Sequence, residues 1–141
     1  MTTSSRTAIA IHILALLASF GPDPLTSEFI AGSVNTNPVV IRRLLARLRE
    51  AGFVGSQGGP GGGWQLLRQP AKITLRDIHL AMEGTALFSL HSAKPNPRCP
   101  VGKNIQSTLV DIFEAAQEAM EADLARTTLA HLVKDIQARA S

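Results

Sequence analysis

One cysteine in 141 residues, Cys99, excludes an internal disulfide framework and suits a reducing cytoplasm. No apolar run reaches the ~20 residues that a membrane span needs. The nearest candidate, Thr7–Phe20, follows Arg6 as a signal peptide would, but His12 interrupts it and no small-x-small cleavage site follows. A soluble, cytoplasmic chain with no membrane partner is therefore expected. His12, His79, His91 and His131 are scattered without metal-ligand spacing, so no metal site is predicted. Carboxylate pairs, Ser-His-Asp triads and Cys-His spacings are lacking too, which argues against an enzyme. Cys99 as nucleophile with His91 as base is the one enzymatic alternative left.

What is present describes a globular chain. Hydrophobic residues make up 45% and charged residues 18%. The length allows one domain, or a domain with an appendage, and a real core. The apolar excess points to a buried oligomer contact. The net charge of +3 is unevenly spread: residues 1–84 hold eight Lys/Arg against five Asp/Glu, and residues 85–141 hold six of each. A basic binding module followed by a neutral assembly segment fits this split.

The stretch from Asn35 to Gly52 carries the strongest local signals. Asn37 suits a helix cap, Pro38 the first helical position and Gly52 the left-handed residue beyond the end. Ile41, Leu44, Leu45 and Leu48 form one apolar stripe. Off it stand Arg42, Arg43, Arg47 and Arg49, with Glu50 the only acid. A solvated face is the ordinary reading of such charges. Four arginines on one short helix repel each other, however, and a polyanion relieves that repulsion. A DNA-recognition helix is predicted.

The flanking segments agree. Arg6–Phe20 reads as a helix apolar almost all round, capped by Ser4 or Ser5, and Gly21-Pro22-Asp23-Pro24 breaks it. Thr26 or Ser27 caps a short helix to about Ser33, which makes a helix-turn-helix with the basic helix. Residues 53–57 and 64–67 flank the Gly/Pro tip 58–63 and read as a hairpin, the wing of a winged helix, with Trp64 packed over it. The tip lacks the G-K-[ST] ending of a nucleotide loop and leads into a strand, so no nucleotide site is expected. Thr74 caps a helix from Leu75 to Glu83, with Leu75, Ile78, Ala81 and Met82 facing inward, and Gly84 ends it. Pro95, Pro97 and Pro100 mark 85–100 as irregular. A long amphipathic helix is predicted from about Val101 to Arg126, with Ile105, Leu109, Ile112, Phe113, Ala116, Met120 and Leu124 on its apolar stripe. A dimer seam explains such a helix economically, and packing on its own domain is the alternative. Thr127 or Thr128 caps a last helix, Leu129 to about Ala138. The expected class is mainly α with a small β-hairpin wing: a DNA-binding domain over 1–84, a sensor or linker loop over 85–100, and a dimerisation helix with a terminal helix over 101–141.

These residues resemble the Rrf-two family of bacterial winged-helix transcription regulators over nearly the whole chain. The resemblance rests on N-P-V-V-I-R-R-L-L-A-R-L-R-E-A-G-F-V at 37–54, S-Q-G-G-P-G-G-G-W at 56–64, I-T-L-R-D-I at 73–78 and M-E-G at 82–84. It implies a homodimer paired through the long helix, with two recognition helices and two wings on a palindromic operator in double-stranded DNA. Carried over by position, it implies contacts at Asn37, Val39 and Arg42. Val40, Arg43, Arg47 and Gly59 complete the expected DNA-binding set. Wings of the family commonly carry an arginine where this chain has Gly58, so contact through glycine amides is expected here instead. Better-studied members hold an iron–sulfur cluster with three cysteines before the long helix. One thiolate cannot replace them, and no cofactor is expected.

Cys99 lies just before the long helix, beside Arg98 and Lys103. A helix N-terminus and nearby cations favour thiolate, so Cys99 is the candidate redox or electrophile switch of a repressor whose effector is unknown. A small buried hydrophobe is the plainer reading. A winged-helix protein-interaction module without DNA binding is the rival function.

Overall fold

Ile13, Leu14, Ile30, Ile41, Leu45, Leu48, Ile73, Ile78, Met82 and Leu129 are fully buried against one another, and the elements are arranged around them. The computed structural model describes residues 4–84 and 87–141; residues 85–86, where the irregular segment was expected to begin, lie outside the described residues. In chain order the elements are α1 (Arg6–Phe20), α2 (Ser27–Val34), α3 (Pro38–Glu50), β1 (Val54–Gln57), β2 (Gly63–Leu66), a 3-10 turn (Pro70–Lys72), α4 (Leu75–Glu83), α5 (Pro100–Leu124) and α6 (Leu129–Ala140).

Local chemistry accounts for the boundaries. Ser5 is the N-cap of α1 without a side-chain cap bond, and the Ser4 hydroxyl before it accepts the Arg6 amide at 3.2 Å. The Thr26 hydroxyl accepts from Phe29 N at 3.1 Å to start α2, and Asn35 ends that helix in the left-handed region, φ 64°. Asn37 caps α3 and Pro38 begins it. At the far end Gly52, φ 84°, lets its own amide reach Arg49 O at 3.0 Å and the Phe53 amide reach Leu48 O at 2.9 Å, so the last carbonyls are satisfied. Thr74 and Asp77 form a reciprocal capping box on α4.

As expected, α1 is covered on several sides: α2, α3, α4, α6 and β2 all pack on it. β1 and β2 pair antiparallel, Val54 opposite Leu66 and Gln57 opposite Gly63. A third segment, not anticipated from sequence, joins this wing. Leu25 exchanges both backbone hydrogen bonds with Trp64, at 3.0 and 2.8 Å. Gly63 permits the approach, since a β-carbon there would come 2.5 Å from the Leu25 carbonyl oxygen.

Two findings change the expected picture of the C-terminal part. The last helix does not stay with the long one. After Ala125 the chain turns back, the Leu75 amide bonds to Thr127 O at 3.0 Å and the Leu129 amide to Ile73 O at 2.8 Å, and α6 packs on α1. Leu129 thereby enters the core of the N-terminal body. The long helix itself is shifted from the expected 101–126 to Pro100–Leu124, because Pro100 takes the first helical position after Cys99 and the return to Thr74 begins at Ala125.

Every residue of α5 is exposed or half-buried, along a rod of about 37 Å by helical rise. It meets the body mainly at α4, where Arg76 Nε bonds Glu121 Oε1 at 3.2 Å. Phe88 stacks on Phe113 with centroids 4.7 Å apart, and Gln106 Nε2 donates to His91 O at 3.0 Å, which ties residues 88–91 to the helix. Ile112 remains 55% exposed and Val101 68%. Its own domain thus covers the α5 stripe only in part: Leu109, Phe113, Ala116, Met120 and Leu124 are half-buried, while Ile105 and Ile112 are exposed.

Candidate nucleic-acid interface

Recognition of a duplex needs a rigid rod with one buried side, one outward side and anchors at both ends. The sequence of α3 produces this arrangement. Ile41, Leu44, Leu45 and Leu48 are buried and lock the helix to the core. At 100° per residue the opposite side carries Val39, Arg43, Ala46 and, at the far end, Glu50, with Arg42 and Arg47 on its two edges. Val39 is 47% exposed, and its methyl groups offer the apolar contact that a thymine methyl takes in a major groove.

The expected residues divide on inspection. Asn37 is exposed at the entry to α3, but its carboxamide oxygen is spent as the cap, accepting Val39 N at 2.8 Å. Only its NH2 group is left as a donor. Arg42 lies at the edge of the outward side and is ion-paired with Glu28 of α2, 2.7 Å from Nη2 to Oε1. The Glu28 carboxyl is lowered below its usual range, first by the helix amide it accepts and then by Arg42. Arg43 and Arg47 are exposed and have no acidic partner among the described residues. Val40 is half-buried against the core and, with Ile9 and Leu44, lines a shallow cleft rimmed by Arg6, Arg43 and Arg47. Its side chain lies on the flank of α3, away from the outermost side. Gly59 sits at the wing tip with φ 80° and open space around it.

Of three cationic groups outside the expected set, two support α3 and the third, Arg6, ties α1 to α4. The Arg49 guanidinium lies 5.5 Å from the Trp64 ring centre, joining the helix to the wing. Arg68 lies 4.3 Å from the Phe53 ring centre and donates to Ala51 O at 2.8 Å, just past the end of α3. Arg6 bonds Glu83 at 2.9 Å, and this holds the Glu83 carboxyl low. Arg49 was visible as a charge on the helix. The partners of Arg68 and Arg6 are 17 and 77 residues distant, and no periodicity could have revealed them.

Cys99 is exposed and caps α5 by its backbone position. Its thiol is lowered from the ordinary value by the Gly102 and Val101 amides in the first turn of α5, as expected of a helix N-terminus; the part expected of Arg98 and Lys103 is corrected, since neither is among the causes. The Asn96 carbonyl folds under this turn and accepts the Cys99 amide at 3.3 Å.

This geometry agrees with what the chain is similar to. The family profile described as Rrf2, iron-dependent transcriptional regulator, matches residues 3–135. The candidate HTH-type transcriptional regulator YwnA of Bacillus subtilis (strain 168) is 45% identical over 127 residues, covering 89% of this chain and 92% of that protein. A crystal structure of a candidate DNA-binding protein superposes with a TM-score of 0.73 at 41% identity, over 91% of this chain and 98% of the other. CymR (YrzC), the global cysteine regulator of B. subtilis, superposes with a TM-score of 0.69 at 25% identity, over 95% and 97% of the two chains.

Proposed function

The chain belongs to the Rrf2 family of winged-helix transcriptional regulators, and from that premise we propose that it is a homodimeric repressor that holds a palindromic operator. The observation that carries this reading is the outward side of α3, where Val39, Arg42 and Arg43 project from a helix locked to the core. Two such helices enter successive major grooves, about 34 Å apart along the duplex. Arg42 reads a base edge, while Arg43 and Arg47 hold phosphates and the NH2 group of Asn37 adds a donor at the helix entry. The half-buried Val40 supports the flank rather than reaching a base. The wing touches the backbone through glycine amides around Gly59.

The dimer forms along α5, whose exposed Val101, Ile105 and Ile112 otherwise leave apolar surface in water. Selection from random duplexes identifies the operator. Glutamine at both Arg43 and Arg47 then reduces operator affinity about 100-fold at 0.1 M salt and flattens the slope of log K against log salt by about 3–4, as loss of two phosphate contacts in each protomer, four in the dimer, requires. Fluorescence anisotropy across a salt series checks this, and an unchanged slope removes those arginines from the interface.

Iron is part of the family's description, but the donor set of this chain does not fit a cluster. It has one cysteine, and among the described residues no three His, Cys, Asp or Glu side chains come together as metal ligands. The reading therefore uses no cofactor. It assigns signal detection to Cys99, supported by the thiol's exposure and by the two amides that favour its thiolate. With a peroxide, the thiolate attacks one oxygen and an S–O bond forms as the O–O bond breaks. Sulfur is oxidised to the sulfenic acid, and the released hydroxide takes a proton to become water. The altered loop then shifts α5 through the Phe88–Phe113 and His91–Gln106 contacts and changes the spacing of the two α3 helices. Alkylation of Cys99 should rise with pH through a midpoint below that of an ordinary thiol, because a lowered pKa means thiolate forms at lower pH. Cys99→Ser should bind the operator as the parent does and lose its response to peroxide; a retained response discards the switch.

A further inference from the structure

The Glu28–Arg42 pair has a role that its place on the surface does not explain by stability. Both side chains are more than half exposed, at 65% and 53%, and exposed ion pairs contribute little to folding. The pair nevertheless bridges the two helices of the helix-turn-helix, over 14 residues of sequence. Both carboxylate oxygens are engaged: Oε1 accepts Arg42 Nη2 at 2.7 Å and Oε2 accepts the Ser27 hydroxyl at 3.3 Å. Glu28 is itself fixed in the first turn of α2.

We propose that Glu28 is a positioning and specificity-determining residue, which holds the Arg42 guanidinium so that its free N–H edge meets a guanine. This deepens the reading above and rests on Arg42 being a base contact. The physical argument has two parts. An unheld arginine spreads over many rotamers and can follow any nearby phosphate, whereas a guanidinium tied at Nη2 keeps donors in one plane and orientation. The carboxylate also neutralises part of the field around Arg42 and repels phosphates, which lowers its attraction to DNA of any sequence. Glu28 thus moves Arg42 from general affinity toward base choice. Glu28 stands in a different helix from the arginine it directs, so the pattern of α3 alone carries no sign of it.

The test uses the intact dimer and two duplexes of equal length, the selected operator and a version with its half-site guanines replaced, at one salt concentration. Glu28→Gln keeps the shape of the side chain and removes its charge. It should bind the altered duplex about 3-fold more tightly with a salt slope steeper by up to about 2, as one freed arginine in each protomer gains a phosphate. The preference for operator over altered duplex should fall about 5- to 10-fold, within the range of one bidentate contact. Glu28→Asp, too short to reach Arg42 in the same pose, should lose preference while keeping the charge. In an Arg42→Ala background, Glu28→Gln should leave the preference unchanged. A preference within about 2-fold of the parent in Glu28→Gln, or an equal loss with and without Arg42, overturns the proposal. Arg42→Ala with undiminished preference overturns instead the base-contact reading on which it rests. Thermal melts of each variant confirm that the comparisons are between folded proteins.

Discussion

Replacing Ile105 and Ile112 together by glutamate is expected to convert the dimer to a monomer and to weaken operator binding by more than about 100-fold, the scale of avidity lost when two half-sites are no longer linked. Both side chains lie on the same stripe of α5 and are 37% and 55% exposed in the single chain. In the proposed dimer, charges placed there meet their own copies across a two-fold seam, so each substitution is felt twice and four carboxylates crowd one surface. Within the protomer they cost little, because glutamate is a good helix former and neither position is buried by its own domain. Sedimentation of the variant at micromolar concentration, with circular dichroism to confirm intact helices, reads the outcome. A dimer that persists places the seam elsewhere, and a monomer that holds the operator undiminished removes the need for two linked helices.

The second large effect concerns α6. Leu129→Ala is expected to lower stability by about 2–5 kcal/mol, the range for a leucine truncated in a core that cannot close over the cavity. Leu129 is fully buried, its amide is bonded to Ile73 O at 2.8 Å, and Thr128 is bridged to Thr74. The loss therefore opens a cavity where α1, the 3-10 turn and α6 converge. Urea unfolding followed by both tryptophan fluorescence and circular dichroism measures it. The two signals should move together, since Trp64 packs on the same core. A loss below about 1 kcal/mol would mean that α6 is a dispensable appendage, because such a value is typical of surface changes.

These two results separate two kinds of knowledge about the chain. The local signals were sufficient for the helices of the binding module. Asn37, Pro38 and Gly52 mark α3 to within a residue, since caps and left-handed glycines act over a few bonds, and the stripe from Ile41 to Leu48 states which side is buried. The wing was legible for the same reason: two short β-prone runs about a glycine tip have few alternatives. The outward arginines of α3 followed by subtraction.

Contacts between distant segments were decided by packing. Leu129 reads as one more apolar residue on a terminal amphipathic helix, and only the return of the chain through Thr128 and Thr74 puts it in the core. Leu25 bridges to the wing at Trp64 because Gly63 leaves room for its carbonyl. Arg42 was identified on the helix, but its partner Glu28 was not, because an ion pair between helices has no sequence period. For Cys99 the helix N-terminus was legible in the sequence, and the Gly102 and Val101 amides of that first turn act on the thiol, whereas Arg98 and Lys103, its neighbours in sequence, do not. Propensity, caps and turns are properties of adjacent residues and are written in order along the chain. Which surfaces meet depends on the folded shape, and there the tertiary structure alone decided.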